Sequence, residues 1–386
     1  MGDDLPVLSR QALNRATLAR QSLLEASANV GISAIIETVG GLQAQEPASP
    51  YIALWSRLSD LRAVDLDGAF AARTVVKATL MRSTLHAVSS ADYRRLLPAV
   101  LPMLRGIRRQ DRAEPPTEPE LRAVHAAAAA FTTEPRSLTD IGRHLADLDL
   151  VPGRPPDELV WWLRRFAPLV HAPGSDTVWS FGRRPRLVDA RAWLDGAADP
   201  LAPATADALD HLVRRYLAAF GPATAADIGA WSGLPIGTLR PAIDALQTRG
   251  ELWHARDERG RALLDLPGSP RPDPSTPPPP RLLPMWDSVL LAHADRTRII
   301  SDADRAVVIA RNGDTLPTFL IDGLVAGLWW AHGEPGGRTR IVIEPFRPLD
   351  PEARRALERE GERLAAFVEP LEPTVYARYQ RWRPIR

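Results

Sequence analysis

Hydrophobic positions along the chain fall into two regimes. Up to about residue 266 they recur mostly at helical spacing with short β-like pairs between; beyond about residue 280 they form short runs broken by turn signals. The boundary is Pro267 to Pro280, where eight of fourteen residues are proline. Such a run forms neither helix nor central strand and favours an extended spacer.

The stretch just before the spacer has the fullest pattern. Thr224 with Asp227 opens a helix as an approximate capping box, with Asp in place of Glu. That helix runs to about Ser232, and Gly233-Leu234-Pro235 makes a tight turn. A second helix spans Ile236 to about Thr248, with Leu239, Ile243 and Leu246 on one face. Arg249-Gly250 stops it, and Leu252–Ala255 and Ala262–Leu266 flank Asp257-Glu258-Arg259-Gly260 as a hairpin. Helix, turn, helix, hairpin is the winged-helix plan.

Upstream, Ser137–Leu145 repeats the Asp-Ile-Gly core, with Asp140-Ile141-Gly142 matching Asp227-Ile228-Gly229. Asp157–Arg165 supplies the second helix there, and Val170–Phe181 the wing. A looser first copy has helices at Ser33–Val39 and Pro50–Ser59 and a hairpin from Val75 to Val88. After the spacer, apolar runs at Ala306–Ala310, Thr318–Ile321, Leu324–Ala331 and Arg340–Ile343 alternate with Asn312-Gly313 and Asp322-Gly323 turns. They predict a small antiparallel sheet or barrel with one helix at Pro351–Phe367. The expected class is mainly α with β. Three tandem winged helices (1–115, 116–196, 197–266) precede the spacer (267–280) and a barrel-like domain (281–386).

Composition narrows the chemistry. The 386 residues contain no cysteine, which excludes disulfides, thiolate metal sites and a Cys nucleophile. Lys77 is the only lysine, so a lysine Schiff base has one candidate. A net charge of +1 gives no global field for nucleic acid, and binding must come from local arginine patches. No apolar run is long enough to span a bilayer, and the acidic start is unlike a signal peptide. A cytoplasmic protein, nucleoid-associated when bound to DNA, is expected.

Several segments then read as a known text. They are Leu13-Asn14-Arg15-Ala16-Thr17-Leu18-Ala19-Arg20-Gln21, Gly41-Leu42-Gln43-Ala44-Gln45, Ser49 through Leu58, and Met81-Arg82-Ser83-Thr84-Leu85-His86. Beyond the spacer come Leu282-Leu283-Pro284-Met285-Trp286-Asp287 and His293-Ala294-Asp295-Arg296. In order and spacing, nearly the whole chain resembles the AlkZ/YcaQ family of winged-helix DNA glycosylases. The resemblance implies a monofunctional enzyme that removes N7-alkylated purines, including bulky natural-product adducts and interstrand crosslinks, with a role in repair or self-resistance. It implies a concave DNA-binding face and a signature of Gln, a hydrophobic residue, then Gln or Asp. Gln43-Ala44-Gln45 matches the Gln/Gln form of the AlkZ branch.

The chemistry suits an activated substrate. N7 alkylation makes the purine cationic, so its departure needs little acid catalysis. The site must hold a water against the sugar carbon and tolerate an oxocarbenium-like transition state. A glutamine carbonyl can accept from that water while its NH2 is anchored elsewhere. Gly40-Gly41 can end a helix and Pro47 discourages another, so an extended backbone would let Gln43 and Gln45 converge on one cavity. Read without the family, both amides are better taken as solvated groups or backbone caps, and the resemblance reverses that reading.

Other candidates are open between two readings. Glu46 is a possible general base or plain surface, and His86 a phosphate or lesion contact or a structural histidine. Lys77 reads as a wing lysine on phosphate rather than a nucleophile, favouring hydrolysis over lyase cleavage. Phosphate clamps are expected from Arg82, Arg105, Arg108, Arg109 and Arg112, and from Arg164 with Arg165. Arg183, Arg184, Arg186, Arg296 and Arg298 also qualify; each cluster also reads as salt-bridged surface. No metal spacing or phosphate loop is visible, so no cofactor is expected. The expected partner is duplex DNA carrying alkylated purines, engaged by a monomer on an open surface that leaves the base in place. The rival readings are a non-catalytic winged-helix regulator, which usually dimerises on palindromes, and a protein-interaction module.

Overall fold

The computed structural model describes residues 5–106, 116–174, 177–182, 184–194, 204–333 and 337–382. Its mixture of helices and antiparallel sheet makes it an α+β protein. Among the described residues no helix is long and apolar enough to cross a membrane.

Helices start where the sequence supplies an oxygen for free N–H groups. Strand β1 (Val7–Leu8) leads into α1 (Arg10–Arg20), whose cap Ser9 accepts from the Ala12 N–H. Then come α2 (Ile32–Thr38), β2 (Leu42–Gln43), α3 (Ser49–Trp55), α4 (Ala63–Ala71), β3 (Val75–Thr79), β4 (Leu85–Ser89) and α5 (Ser90–Gly106). Gly40 and Gly41, with φ of 77° and 88°, turn the chain from α2 into β2. A Cβ on Gly40 would stand 2.9 Å from that of Ala219, so the position also needs glycine for space.

The next stretch is α6 (Glu118–Phe131), β5 (Arg136–Ser137), α7 (Leu138–Asp147), α8 (Pro156–Phe166), β6 (Leu169–His171), β7 (Arg186–Asp189) and α9 (Ala190–Leu194). Here the wing expected at Val170–Phe181 is corrected, because the return strand is β7. Trp179 and Phe181 alternate as a strand would, but Trp179 and Ser180 have φ of 65° and 56°. Their rings fold inward, 5.0 Å from Tyr51 and 4.8 Å from Phe70 between centroids.

The third stretch has α10 (Ala206–Phe220), α11 (Ala225–Ser232), α12 (Ile236–Thr248), β8 (Trp253–Asp257) and β9 (Ala262–Asp265). Thr224 and Asp227 form the reciprocal box at the start of α11. The proline run that follows contains no helix or strand, yet it is pinned. Arg15 Nε donates to the Thr276 carbonyl at 2.7 Å, and Arg20 reaches the Pro270 carbonyl.

The last stretch holds β10 (Arg281–Leu283), α13 (Asp302–Val308), β11 (Thr318–Ile321), β12 (Leu324–His332), β13 (Arg340–Pro345) and α14 (Pro351–Val368). The apolar run at Ala306–Ala310 falls largely in α13, whose cap Ser301 accepts from the Asp304 N–H. Among the described residues no closed barrel forms. Strands β10–β13 pair antiparallel in linear order, and α14 puts Leu357, Leu364 and Val368 into the same core as Phe319, Leu328 and Trp330. That helix supplies the apolar cover that a barrel would take from its opposite wall.

The remaining strands make two sheets. One is β1-β8-β9; the other is six-stranded, in the order β2-β4-β3-β6-β7-β5. In the larger sheet β3 pairs with β6, matching Lys77 with His171 and Ala78 with Val170. One core joins α2–α4 to the C-terminal sheet, a second surrounds α5 and α10–α12, and a third lies among α6–α8. Buried ion pairs tie distant segments together: Arg57 with Asp287 at 2.8 Å and Arg20 with Asp265 at 2.7 Å. Asn14 donates to the carbonyls of Arg298 and Gly323, both at 2.8 Å.

Candidate active site

The Gln-Ala-Gln segment leaves the sheet at its edge. Gln43 ends β2 opposite His86 of β4, and the Ala44 N–H donates to the Leu85 carbonyl at 2.7 Å. Past that point the Gln45 side chain replaces the ladder, its Oε1 accepting from the Leu85 N–H at 2.9 Å. The Gln43 amide is only 5% exposed, and its Oε1 accepts from Arg82 Nη2 at 3.0 Å. Both partners can only donate, so both carboxamides are fixed with oxygen toward the protein. Each oxygen keeps a second lone pair.

Arg82 reaches Gln43 from the tip of the β3–β4 hairpin, where it and Ser83 have φ of 54° and 58°. Its Nη1 donates to the Trp231 carbonyl at 2.5 Å at the end of α11. Burial, with repulsion from the nearby Arg296, brings its pKa down to about 10. A Cβ on Gly233 would come within 3.1 Å of the Arg82 backbone, so that turn fits closely over the hairpin tip.

Gln45 opens onto a cleft of about 220 Å³, lined also by Thr79, Ser83, Leu85, Trp161 and Arg164. Its walls come from three stretches of chain, the loop after β2, the β3–β4 hairpin and α8. Gln43 does not line it, so the two amides do not share this cavity. Sequence reasoning missed Trp161; its spacing of three from Arg164 on α8 was the available signal. A larger cavity, about 440 Å³, lies between α1 and the β8–β9 turn. Its Arg15, Arg259 and Arg261 are matched by Asp322, Asp295 and Asp257.

The expected phosphate contacts separate. Arg164 and Arg184 are exposed and Arg296 is half-buried; among the described residues none of the three has a carboxylate partner. Arg105 is half-buried and engaged, and Arg186 donates to the Pro135 carbonyl. Arg298 is 5% exposed and spends its guanidinium on the Pro222 carbonyl, so it presents nothing to a phosphate. Lys77 is also buried, its ammonium 4.7 Å from the Phe181 ring, and burial lowers its pKa to about 8. His86 is buried too, so neither of these wing residues faces outward. Arg108, Arg109, Arg112 and Arg183, and the side chain of Arg165, lie outside the described residues.

Glu46 is occupied. It pairs with Arg378 and accepts from the Tyr379 hydroxyl at 2.9 Å, while Ser49 and Tyr376 hydroxyls meet at 2.9 Å nearby. The C-terminal segment therefore holds the loop that follows the motif. Among the described residues no group of three or more His, Asp or Glu side chains is placed to hold a metal ion.

The site thus combines neutral amides at the edge of a sheet with guanidiniums that, among the described residues, lack carboxylate partners. The chain belongs to the AlkZ-like DNA glycosylase family, whose profile, described as "DNA glycosylase AlkZ-like", matches residues 36–367. It is a DNA glycosylase, and its substrate is DNA. Its fold is similar to that of the Streptomyces sahachiroi DNA glycosylase AlkZ, with a TM-score of 0.73 and 17% identity over 94% of this chain and 97% of that one. No curated protein sequence matches the chain.

Proposed function

We propose that this glycosylase is monofunctional and hydrolyses the N-glycosidic bond of N7-alkylated purines, including bulky or crosslinking adducts. The observation that carries the reading is the pair of fixed amides, with Gln43 held by Arg82 and Gln45 by the Leu85 N–H. Each carbonyl has a lone pair left to orient a water against the sugar carbon. Amides are far weaker bases than carboxylates, so positioning supplies the catalysis. That suffices where the leaving base is already cationic and departs neutral.

The three helix–hairpin stretches are read as winged helices, ending near residues 115, 196 and 266, with the C-terminal sheet bracing the first. Arg164, Arg184 and Arg296 serve as phosphate contacts, with Arg105 as a further one. The exposed cleft favours an enzyme that works on a base left in the duplex. Lys77, buried and stacked on Phe181, offers no Schiff-base step.

The test is base release from a duplex carrying N7-alkylguanine, read as strand cleavage after alkali. Wild type should give alkali-dependent cleavage and no cleavage without it. Gln43→Ala and Gln45→Ala should each lose most of the rate while keeping DNA affinity. Binding without release from simple and bulky adducts would sink the assignment of substrate.

A further inference from the structure

Gln43 and His86 are register partners across β2 and β4, so their side chains leave the same face of the sheet. The Gln43 oxygen is taken by Arg82, but its NH2 donates to no group among the described residues. Beside it, His86 has the complementary deficit. Its Nδ1 lies 3.0 Å from the Thr84 carbonyl, which can only accept, so Nδ1 carries the proton and Nε2 the lone pair. Nε2 is fully buried and has no protein partner. Burial and the Arg82 charge lower the His86 pKa to about 3, so the ring stays neutral.

Two other buried histidines differ. His293 Nε2 lies 3.1 Å from the Phe220 carbonyl, and His211 Nε2 lies 2.8 Å from Asp92. Those rings are tied into the frame. At His86 an unused acceptor stands at the strand position opposite Gln43, whose NH2 is the unused donor, and the Arg82 charge acts on both residues.

We propose that His86 is a positioning residue of the glycosylase site, its Nε2 accepting through one bridging water from the Gln43 NH2. The carboxamide is then held at both ends, oxygen on Arg82 and nitrogen on the histidine. The carboxamide then cannot turn, and its second carbonyl lone pair keeps one fixed direction. A buried water with two to four polar partners is an ordinary structural element, and an empty buried acceptor is costly. This inference rests on the catalytic reading of Gln43 given above, and the test is built to separate the two.

The first arm needs no substrate. In histidine-labelled protein, ¹⁵N spectra should show His86 Nε2 unprotonated and shifted by an accepted hydrogen bond, and Gln43→Ala should remove that shift. A protonated Nε2, or a resonance indifferent to Gln43→Ala, overturns the proposal.

The second arm is a single-turnover cycle on the N7-alkylguanine duplex. His86→Leu should slow excision about tenfold or more at unchanged DNA affinity, and add nothing in the Gln43→Ala background. His86→Gln, which returns a neutral acceptor near the Nε2 position, should recover most of the loss. Multiplicative losses, or Leu and Gln variants that fall equally, overturn it. If wild type releases no base from that duplex, the substrate assignment fails while the spectra still decide the role of His86.

Discussion

Arg82 and Gln43, 39 residues apart in sequence, are joined by a 3.0 Å hydrogen bond across the tip of the first hairpin. The same guanidinium ends on the Trp231 carbonyl. One side chain thus connects the motif, the hairpin and the end of α11, and it does so through neutral acceptors only.

Arg82→Lys should therefore behave as a loss rather than a conservative change. An ammonium cannot hold two acceptors in the geometry of a planar fork. We expect excision to fall about ten- to a hundredfold in single-turnover assays, with denaturant stability changed by about 1 kcal/mol or less. A rate equal to wild type would show that the Gln43 amide needs no fixing from this side.

Glu46 is spoken for by Arg378 and Tyr379. A general base contributes about 10²- to 10⁴-fold, so Glu46→Gln decides between a carboxylate and an amide mechanism. The amide mechanism expects less than about a threefold change in single-turnover rate. A loss of a hundredfold would make Glu46 the base.

Lys77 gives a pH signature in stability. Burial lowers its pKa to about 8 from 10.5, so between those values the unfolded chain binds more protons than the folded one. Stability attributable to this residue rises with pH across that window and is lowest below about pH 8. Other groups titrate there as well, so the quantity to measure is the difference between wild type and Lys77→Met. Met should be the more stable at pH 7, by roughly 1–3 kcal/mol, and the gap should close toward pH 10. A gap that does not change with pH would place the ammonium in water.

Arg57 and Asp287 are both fully buried and meet at 2.8 Å, joining the first core to the C-terminal sheet. Removing one partner strands the other charge, so Asp287→Ala should cost about 3–5 kcal/mol in urea unfolding. The double change Arg57→Met with Asp287→Leu should cost less than Asp287→Ala alone. Strict additivity would mean that the pair does not couple.

Much of the frame was legible because its signals are local. Thr224 with Asp227, the Gly233 turn and the Leu239–Ile243–Leu246 face specify α11 and α12 within a single window. The familiar segments were legible for a reason the structure now supplies. Asn14, Arg20, Gln21, Arg57 and Asp287 are buried polar groups that bond across the molecule, so changing one strands its partner. Three readings went astray, two of them for want of long-range information and one against a local helix cap. Trp179 and Phe181 alternate like a strand but fill a core built by Tyr51 and Phe70. The run around Ala306 carries a helix cap in Ser301 and Asp304 that outweighs its strand-like residues. Barrel closure depends on what covers the open sheet, and α14 covers it. At the site, Gln43 and Gln45 were visible as a motif. The hold of Arg82 was not, since it depends on two left-handed residues at a hairpin tip.

The pairing of β3 with β6 has a mechanical consequence. Gln45 stands on one wall of the cleft, Trp161 and Arg164 on the other, and the hairpins behind the two walls belong to one hydrogen-bonded sheet. Widening the gap would require breaking ladder bonds rather than swinging a hinge. The cleft is a gauge and not a jaw: its spacing is set by the protein, so under the function proposed above it is the DNA that supplies the bend, slide or untwisting needed to bring a nucleotide to it.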